Sequence, residues 1–537
     1  MSGDDDKHRP DRMLQAAVFL CGLAVMGIEM AASRLLAPYF GTSLFTWTNL
    51  IGAIMTALSA GYWIGGRMAD RHPRHEVLYR IILAAGALVA AIPYLTQPVM
   101  ALSVKAIDKG EAGVVAGSLL ATIVLFAVPV VLLGMVSPFA IRLASRGEER
   151  LGNTAGNLYA LSTFGSIAGT FLPALVTIPL IGTRRTILTF AAILIVVGAA
   201  GLARRAVAAA PLAVLLVWLA PFGPIRDASL KNQGVCLMED ESPYHYIQVL
   251  DKDGRRLLVL NEGQAVHSIF EGRKVEWKPM VGSVWDSMNA LPILLDKKPG
   301  SRLDVLIVGL AAGTMSKELI HFFGKLYDLH VDGVEIDGRI VEMGRRYFEM
   351  NEPQLDVHVM DGRIFLARSE RKWDLIMGDA YRQPYIPFHL ATREYFQLVR
   401  DHLAPGGLMS INVGSPSLES PVATRIVNTV SAVFPRVSVL DVINPPASHF
   451  NNYVVIAGDR ELDGSLLEPS PGDLCELVVG RSNNGWLGSL MARRRADLHS
   501  AETHPTAGVL EDDRAPVEVL TDWIIFEIAS GSGEKKS

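Results

Sequence analysis

The sequence contains few cysteines and no excess of basic residues. Its 537 residues include only three cysteines, Cys21, Cys236 and Cys475, and no two of them form a CxxC pair. This spacing gives neither the framework of a disulfide-rich domain nor a zinc-finger pattern. The formal net charge of −5 lacks the basic excess typical of nucleic-acid-binding proteins. We therefore expect no nucleic acid among the partners.

Charged residues are also scarce, and apolar residues take their place. Only 20% of the residues are charged and 50% are hydrophobic, a balance that indicates membrane segments. A bilayer core requires about 20 mostly apolar residues per helix. Residues 1–222 are predicted to form a transmembrane helical domain, and its seven candidate spans are 13–33, 46–66, 78–101, 113–136, 157–181, 186–203 and 206–222. The first run has no A-x-A cleavage site, so we interpret it as a retained span and not a signal peptide.

The distribution of arginine predicts how this domain is oriented in an inner membrane. Arg67, Arg71 and Arg74 follow the second span, and three more arginines follow the fourth, at 142, 146 and 150. Basic loops stay on the cytoplasmic side, which places the N-terminus there as well. Seven spans would put the second half of the chain outside, whereas six or eight would keep it inside. Because nucleotide-type cosubstrates are found inside cells, we expect a cytoplasmic catalytic domain.

After residue 223 the long apolar runs give way to short alternating ones. Residues 244–250 and 256–260 are predicted strands around Asp253-Gly254, a type I′ hairpin signal. Residues 223–300 are thus expected to form a β-hairpin unit and linker, in which Trp285 and Met288 are interpreted as packing residues. Residues 461–537 are expected to form a C-terminal extension with a disordered tail.

Residues 301–460 alternate between strands and helices. The predicted strands are 303–308, 331–336, 357–360, 373–377, 408–413, 436–442 and 452–457. This order predicts an α/β doubly wound fold, whose ligands bind at the carboxyl ends of the strands. The complete fold class is therefore a multi-pass α-helical membrane domain followed by a small β-hairpin unit and an α/β doubly wound domain.

Candidate ligand groups follow four successive predicted strands. The first strand leads into a turn bounded by Gly309 and Gly313, where backbone can approach a ligand closely. An acid about 20 residues further on, Glu335, has the separation at which a carboxylate accepts from ribose hydroxyls. The remaining candidates at the strand ends are Asp337, Asp361, Gly362 and Asp379. The pattern favours an adenosine-type ligand, and the alternative for each acid is a solvated loop carboxylate or a helix cap.

Other nucleotide and metal sites fit the sequence less well. The turn lacks the G-x-G-x-x-G that brings backbone to a pyrophosphate, and no G-K-[ST] follows a glycine run. The sequence has no His/Cys cluster with metal-ligand spacing and no nucleophile-elbow serine. We therefore expect a cosubstrate that carries an adenosine group, and no metal.

The motifs together resemble the spermidine synthase (polyamine aminopropyltransferase) family, in its membrane-fused form. The matching segments are S-P-Y-H-Y-I-Q-V at 242–249, L-N-E-G-Q at 260–264, L-I-V-G at 306–309, V-E-I-D at 334–337, D-G at 361–362, W-D-L-I-M-G-D-A at 373–380, I-P-F-H-L with T-R-E at 386–394, and D-D-R-A-P-V-E at 512–518. The resemblance extends over nearly the whole chain.

The resemblance implies aminopropyl transfer from decarboxylated S-adenosylmethionine to a diamine such as putrescine. By position in the family motifs, Glu335 would hold the ribose and Asp361 the adenine, while Asp379 would be the base or the amine anchor. Gln264 and His245 would border the sulfonium. Carboxylates suit the binding of two cationic partners and the deprotonation of an ammonium. We also expect a homo-oligomer.

Three positions depart from the family pattern. Ala312 replaces an aspartate that grips the aminopropyl amine, residues 382–384 contain no second acid after Asp379, and Val284-Trp285-Asp286 stands where a Tyr-His-Glu-like triplet is usual. Each lost charged hydrogen bond is worth about 1.5–3 kcal/mol. Two such losses weaken diamine binding by roughly two to four decades. The candidates to replace them are Tyr381, Tyr385, Glu262 and Asp286.

Three hypotheses follow. The first is a membrane-anchored aminopropyltransferase, and the second is methyl transfer from S-adenosylmethionine to a membrane-associated substrate. Ala312 favours the second, because it no longer repels the carboxylate that intact S-adenosylmethionine carries. The third is a transporter-like protein whose second half senses a polyamine or nucleoside without catalysis. Replacement of Asp379 by asparagine separates the two enzymatic hypotheses from the third.

Overall fold

The computed structural model describes most of the chain in two compact units. The described residues are 12–40, 44–107, 112–145, 151–203, 234–261, 266–271, 284–295, 297–381, 385–442, 451–462, 467, 497–517, 520–521 and 524. The first unit contains the helices up to Leu202 together with residues 239–246 and Asn261. The second contains residues 234–238, 247–260 and the described chain from 266 onward.

The first unit is built from helices. Their bounds are α1 (Arg12–Phe40), α2 (Leu44–Arg71), α3 (His75–Ile107), α4 (Ala112–Thr122), α5 (Val128–Gly134), α6 (Val136–Ala144), α7 (Leu151–Leu172) and α8 (Ile178–Leu202). One π-helical turn, Ile123–Ala127, joins α4 to α5, and another, Pro173–Thr177, joins α7 to α8. Within α8 the helix breaks at Gly182, whose φ of 78° lies outside the helical range.

Among the described residues, four helical runs are long and apolar enough to cross a membrane. They are Arg12–Phe40, His75–Met100, Ala116–Ala144 and Gly152–Leu202, with mean hydropathy between 1.8 and 2.8. Large apolar side chains on these helices and on α2 are exposed, including Trp63, Phe164 and Leu180. The seven predicted spans stay a prediction, and the last of them, 206–222, lies outside the described residues.

Small residues let α1 and α7 approach each other closely. A methyl group at Gly165 would overlap the carbonyl oxygen of Phe19, and one at Gly169 would overlap that of Leu23. Such close backbone contact is typical of helix pairs in membranes, where van der Waals packing takes the place of the hydrophobic effect and small residues permit the close approach. The side chain of Ser166 donates to the carbonyl of Gly22 across the same interface, at 3.3 Å.

A four-stranded antiparallel sheet comes next in the chain. Its strands are β1 (Val235–Glu241), β2 (Tyr246–Lys252), β3 (Arg255–Leu260) and β4 (Val266–Phe270), in the order β1-β2-β3-β4. Asp253 and Gly254 join β2 to β3 with φ values of 55° and 80°. Two positive φ angles in a two-residue connection are the geometry of a type I′ turn.

The second sheet has eight described strands and carries the main core. Its elements are α9 (Val284–Met288), β5 (Arg302–Val308), α10 (Thr314–Phe323), β6 (Asp328–Glu335), α11 (Gly338–Tyr347), β7 (Leu355–Val359), α12 (Gly362–Arg368), β8 (Trp373–Gly378), α13 (Arg393–Asp401), β9 (Leu403–Ser415), α14 (Pro421–Ser431), β10 (Arg436–Val442), β11 (Asn451–Gly458) and β12 (Leu498–Ser500). The strand order is β12-β10-β11-β9-β8-β5-β6-β7.

The pairing of these strands fixes where a ligand can bind. Strands β7, β6, β5, β8 and β9 are parallel, whereas β11, β10 and β12 continue the sheet in antiparallel pairs. The chain moves from β5 outward to β6 and β7, then returns to β8 on the other side of β5. Such a reversal creates a crevice at the carboxyl ends of the two central strands.

Alternate residues of β5 belong to two different apolar clusters. Leu303, Val305 and Ile307 join the cluster that includes α10, while Leu306 and Val308 join the cluster that includes α12, α13 and α14. A sheet covered by helices on both faces is the expected α/β doubly wound architecture, which is therefore confirmed for the second half of the chain.

Both residues interpreted as packing residues lie in or against the apolar cluster of the sheet. Met288 is fully buried in that cluster. Trp285 is partly buried against it and also donates its indole N–H within the candidate site described below. Residues 498–500, placed in the C-terminal extension, pair with β10 as an edge strand because Leu498 packs on the core cluster.

Candidate active site

The glycine turn between β5 and α10 begins the site. Gly309 has a φ of 95°, and a Cβ there would lie 2.6 Å from the carbonyl oxygen of Asp379. Gly313 has a φ of 86° and is the residue before the first turn of α10. Both positions favour glycine because L side chains rarely adopt these angles. The close approach at Gly309 brings the turn directly against the backbone at the end of β8.

Glu335 ends β6 beside this turn. One carboxylate oxygen, Oε2, accepts from the backbone N–H of Ala311 at 2.9 Å, and the other, Oε1, accepts from the N–H of Asp337 at 3.1 Å. The side chain is buried, with 7% of its surface exposed. Each carboxylate oxygen can accept more than one hydrogen bond. Glu335 is therefore held rigidly across the turn, in a position from which it can also accept from a hydroxyl group.

Two further predicted site acids cap helices. The carboxylate of Asp337 accepts from the N–H of Arg339 at 3.0 Å, which caps α11. Asp361 Oδ1 accepts from the N–H groups of Arg363 and Ile364, both at 3.0 Å, at the start of α12, where Gly362 is the first helical residue. The helix-cap alternative thus describes the local role of both acids, and their role in binding a ligand stays a prediction.

Asp361 has a second partner that the sequence did not reveal. The Nε2 atom of His389 lies 2.9 Å from Asp361 Oδ2. This hydrogen bond, followed by the bonds from the α12 backbone, lowers the pKa of Asp361 below its ordinary value of 3.8 despite partial burial. The carboxyl group is therefore ionised at neutral pH. Because an ionised carboxylate only accepts, Nε2 of His389 carries the proton.

Asp379, which follows β8, lies in a different environment. Its Oδ2 accepts from the indole N–H of Trp285 at 2.9 Å, and its Oδ1 accepts from the side-chain amide of Asn412 at 2.8 Å. Asn452 in turn donates to the amide oxygen of Asn412 at 2.9 Å. Loss of hydration raises the pKa of Asp379 to about 6, although the two hydrogen bonds act in the opposite direction. A carboxylate with this pKa can accept and release a proton near neutral pH.

The two predicted tyrosines lie on the same segment. The hydroxyl of Tyr381 donates to the carbonyl of Asn412 at 2.9 Å and accepts from the N–H of Gly414 at 2.7 Å, so it fastens the chain after β8 to β9. Tyr385 is buried. A small cavity of about 10 Å³ is lined by Tyr381 and Asn412 and extends to Ile386 and Leu390.

Two of the positions that depart from the family pattern, Ala312 and Asp286, are deeply buried. Ala312 is fully buried in an apolar cluster with Ile340, Met343 and Phe348, and its N–H donates to the hydroxyl of Ser268 at 2.9 Å. Asp286 is also buried, beside Glu318. Burial, followed by the charge of Asp286, raises the pKa of Glu318 well above its ordinary value. Because Asp286 is buried and already faces a second carboxyl group, it is a weak replacement for a lost amine-binding carboxylate.

The remaining predicted site residues are His245, Glu262 and Gln264. His245 is buried in the first compact unit, where its N–H donates to the hydroxyl of Ser242 at 2.9 Å. Glu262 and Gln264 lie outside the described residues. Their roles stay predictions.

A group of potential metal ligands lies elsewhere, on β6 and β7. His330, Asp332 and Asp356 each place one ligand atom within 4.8 Å of the others. Asp332 is fully buried and already accepts from the indole of Trp373 at 2.8 Å, while the guanidinium of Arg371 lies 3.0 Å away. A cation next to this guanidinium would be repelled. We interpret the group as a buried polar network and assign no metal to it.

Trp285, Asn412 and His389 are the functional candidates that sequence reasoning missed. Trp285 is 94 residues from Asp379 in the chain, and Asn412 is 33 residues away. The one available signal was position: Trp285 stands in a family triplet, and His389 stands in the I-P-F-H-L segment. Indole is mostly buried for its apolar surface, so packing was the simpler interpretation.

Part of the chain is similar in sequence to known proteins. Residues 287–462 match the family described as "Spermine/spermidine synthase domain". A "probable polyamine aminopropyl transferase" from Bifidobacterium longum is 31% identical over 296 residues, which cover 54% of this chain and 63% of the relative. A "polyamine aminopropyltransferase" from Vibrio vulnificus is 31% identical over 134 residues, which cover 24% of this chain and 43% of that protein.

Among solved structures, a "probable spermidine synthase" from Corynebacterium glutamicum is similar. It aligns with 51% of this chain over 96% of its own length, with 18% identity and a TM-score of 0.39. The chain spans less than two thirds of the length of the two curated relatives named above. The match to the spermine/spermidine synthase domain family covers residues 287–462, which lie in the α/β part of the chain.

Proposed function

We propose that the protein is a membrane-anchored polyamine aminopropyltransferase. The observation that carries this proposal is Asp379, a carboxylate at the end of β8 with a pKa of about 6, held by two neutral donors beside the glycine turn. Aminopropyl transfer requires a group that binds an ammonium, removes one proton and releases it again. The family match supports the same reaction class.

The proposed reaction is a displacement at carbon. One ammonium group of a diamine such as putrescine loses a proton to Asp379, and the neutral amine nitrogen then attacks the carbon beside the sulfonium of decarboxylated S-adenosylmethionine. The new C–N bond forms as the C–S bond breaks, and its electron pair stays on sulfur in methylthioadenosine. The proton on Asp379 then passes to water. The protein contributes mainly alignment and proton transfer, and both are large terms in such reactions.

The strand ends provide one group for each part of the cosubstrate. Glu335, fixed across the turn, would accept from the ribose hydroxyls. Asp361 would accept from the adenine amino group, because it stays ionised at neutral pH. The hydroxyl of Tyr381 is used by β9, which leaves its ring to border the amine.

Calorimetric binding of three ligands to the full-length protein tests this function. The ligands are methylthioadenosine, S-adenosylmethionine and decarboxylated S-adenosylmethionine. Tighter binding of the decarboxylated form, followed by turnover with putrescine, supports aminopropyl transfer. Binding of none of the three contradicts both aminopropyl transfer and methyl transfer, and leaves a domain that serves the membrane half.

Methyl transfer is the second candidate, and Ala312 favours it. The methyl group of Ala312 lies in an apolar cluster, so this position offers no carboxylate to an aminopropyl amine and none to repel the carboxylate of S-adenosylmethionine. Tighter binding of S-adenosylmethionine in the same titration would support this function. The acceptor would then be sought among lipids and other membrane-associated molecules.

The membrane anchor is part of the proposal. Four apolar helical runs and the exposed aromatic side chains of α2 and α7 support insertion into an inner membrane. Basic residues after the second predicted span support a cytoplasmic N-terminus. We propose that the α/β domain is cytoplasmic too. Protease treatment of sealed right-side-out vesicles tests this orientation, because a cytoplasmic domain survives there and is digested only when the vesicles are opened.

A further inference from the structure

The D-D-R segment near the C-terminus is fastened to the adenosine end of the site. Asp512 forms a bidentate pair with the guanidinium of Arg363, with N–O distances of 2.7 and 2.6 Å, and accepts from the hydroxyl of Thr392 at 2.7 Å. Backbone bonds flank this pair: Arg393 N–H donates to the carbonyl of Leu510 at 2.8 Å. We name Leu510 and Asp512 the C-terminal clamp.

The clamp continues directly to Asp361. Arg363, which Asp512 holds, also donates from Nη1 to the carbonyl of His389 at 3.1 Å. The ring of His389 donates to Asp361 Oδ2, and the N–H of Arg363 itself donates to Asp361 Oδ1. Asp512 is therefore connected to the carboxylate of Asp361 through Arg363 alone on one route, and through Arg363 and His389 on the other.

These contacts determine which lone pairs of Asp361 remain for a ligand. Oδ1 already accepts from two backbone N–H groups, whereas Oδ2 accepts only from His389 among the described residues. A ligand amino group would therefore donate to Oδ2, and the direction of its free lone pair depends on where His389 lies. His389 sits in the Phe388–Leu390 3₁₀ turn, between the cavity-lining residue Ile386 and Thr392, which the clamp also binds.

We infer that Asp512 is a positioning residue for recognition of the adenine amino group. Asp512 holds Arg363 and Thr392 in place. These two residues position the loop that carries His389, and His389 in turn orients the carboxylate of Asp361. Bidentate guanidinium–carboxylate pairs give geometric precision as well as energy, which suits this task. The inference rests on the proposed function, because it assigns adenine to Asp361. It assigns a function to the D-D-R segment, which the reaction chemistry leaves without one.

A neighbouring ion pair provides a matched control. Glu511 lies next to Asp512, is similarly exposed at 40% against 44%, and pairs with Arg393 at 2.9 Å. Among the described ion pairs, the Arg393 side chain pairs with Glu394 and Glu511. Glu511→Gln therefore removes one carboxylate charge next to the clamp while the contacts of Asp512 with Arg363 and Thr392 remain.

The experiment compares two nucleosides that differ at one position of the base. Methylthioadenosine carries the exocyclic amine, and methylthioinosine carries a carbonyl oxygen there. Asp512→Asn in the full-length protein should weaken methylthioadenosine binding about tenfold, the factor of one charged hydrogen bond. Methylthioinosine binding should change by less than about twofold, since it makes no such bond. Asp512→Glu should restore part of the preference, and Glu511→Gln should leave it unchanged.

Three results would overturn the inference. They are an equal loss for both nucleosides, no loss for either, or the same loss in Glu511→Gln, and each would make the clamp a structural latch. Unfolding temperatures of the variants show whether a loss reflects folding. The proposed function can fail separately. If wild-type protein prefers methylthioadenosine over methylthioinosine but transfers no aminopropyl group to putrescine, the role of the clamp stands and the proposed reaction is wrong.

Discussion

The ends of β7 and β8 each carry an aspartate, and the two have opposite acidities. At the β7 end, a histidine ring and a helix N-terminus hold Asp361, and its pKa is lowered. At the β8 end, an indole and an amide hold Asp379, and burial raises its pKa to about 6. Both carboxylates accept hydrogen bonds at both oxygens. The two pKa values differ because the hydrogen-bond donors and the degree of hydration differ. At Asp379 the effect of burial on the pKa is larger than that of the two neutral hydrogen bonds, whereas at Asp361 the hydrogen bonds have the larger effect.

This difference separates binding from chemistry. A carboxylate that never protonates in the physiological range is a permanent acceptor, which suits recognition of an amino group. A carboxylate that titrates near pH 6 can exchange a proton with an ammonium during each turnover. Under the proposed function, the same residue type would serve two purposes because its neighbours differ.

Replacement of Asp379 by asparagine is expected to have the largest effect. The amide keeps the size of the side chain but cannot accept a proton, so turnover with putrescine should fall by about 10²–10⁴-fold. Methylthioadenosine binding should stay within a few-fold of wild type. Initial rates and calorimetry measure both. Asp356→Asn, at an exposed position of β7, is the control and should keep wild-type activity. Wild-type turnover in Asp379→Asn would show that Asp379 is not the catalytic base.

Removal of the indole donor should shift the pH profile and have a smaller effect on rate. The Trp285 bond lowers the pKa of Asp379, so Trp285→Phe should raise this pKa above about 6. The acidic limb of the kcat/KM profile should move up by about one pH unit, the equivalent of one charged hydrogen bond. Trp285→His, which restores a ring donor, should reverse part of the shift. A profile that does not move would mean that another group titrates.

At the β7 end the smallest effect is expected, on local stability and its pH dependence. Asp361→Ala removes the α12 cap and should lower the protection of the 364–368 amides against hydrogen exchange by about 1 kcal/mol at pH 7. Because the folded pKa is lowered, this contribution is complete above the ordinary value of 3.8 and disappears as the pH falls through the folded value. Wild type and variant should therefore converge in acid. A constant difference at all pH values would show that the charge is irrelevant.

The sequence predicts the sheet better than the contacts between its strand ends. Alternating strand and helix patterns are local, and the parallel α/β fold they predicted is observed. The strand-end acids Glu335, Asp361 and Asp379 could be found because turns follow strands in a fixed order. Their partners could not: Trp285 and Asn412 approach Asp379 only through the strand order β11-β9-β8-β5, which no local pattern encodes. Whether Asp361 serves only as a helix cap or also binds a ligand likewise depends on its contact with His389, 28 residues away in the chain.

The pair between Arg363 and Asp512 also has a consequence for the timing of synthesis. The two residues are separated by 149 positions in the chain. At a ribosomal rate of about 5–20 residues per second, Asp512 is added roughly 7–30 seconds after Arg363. The parallel core can form during this interval, while the base-recognition end is still incomplete. Under the proposed role of Asp512, a nascent chain would therefore acquire its core before its preference for adenine.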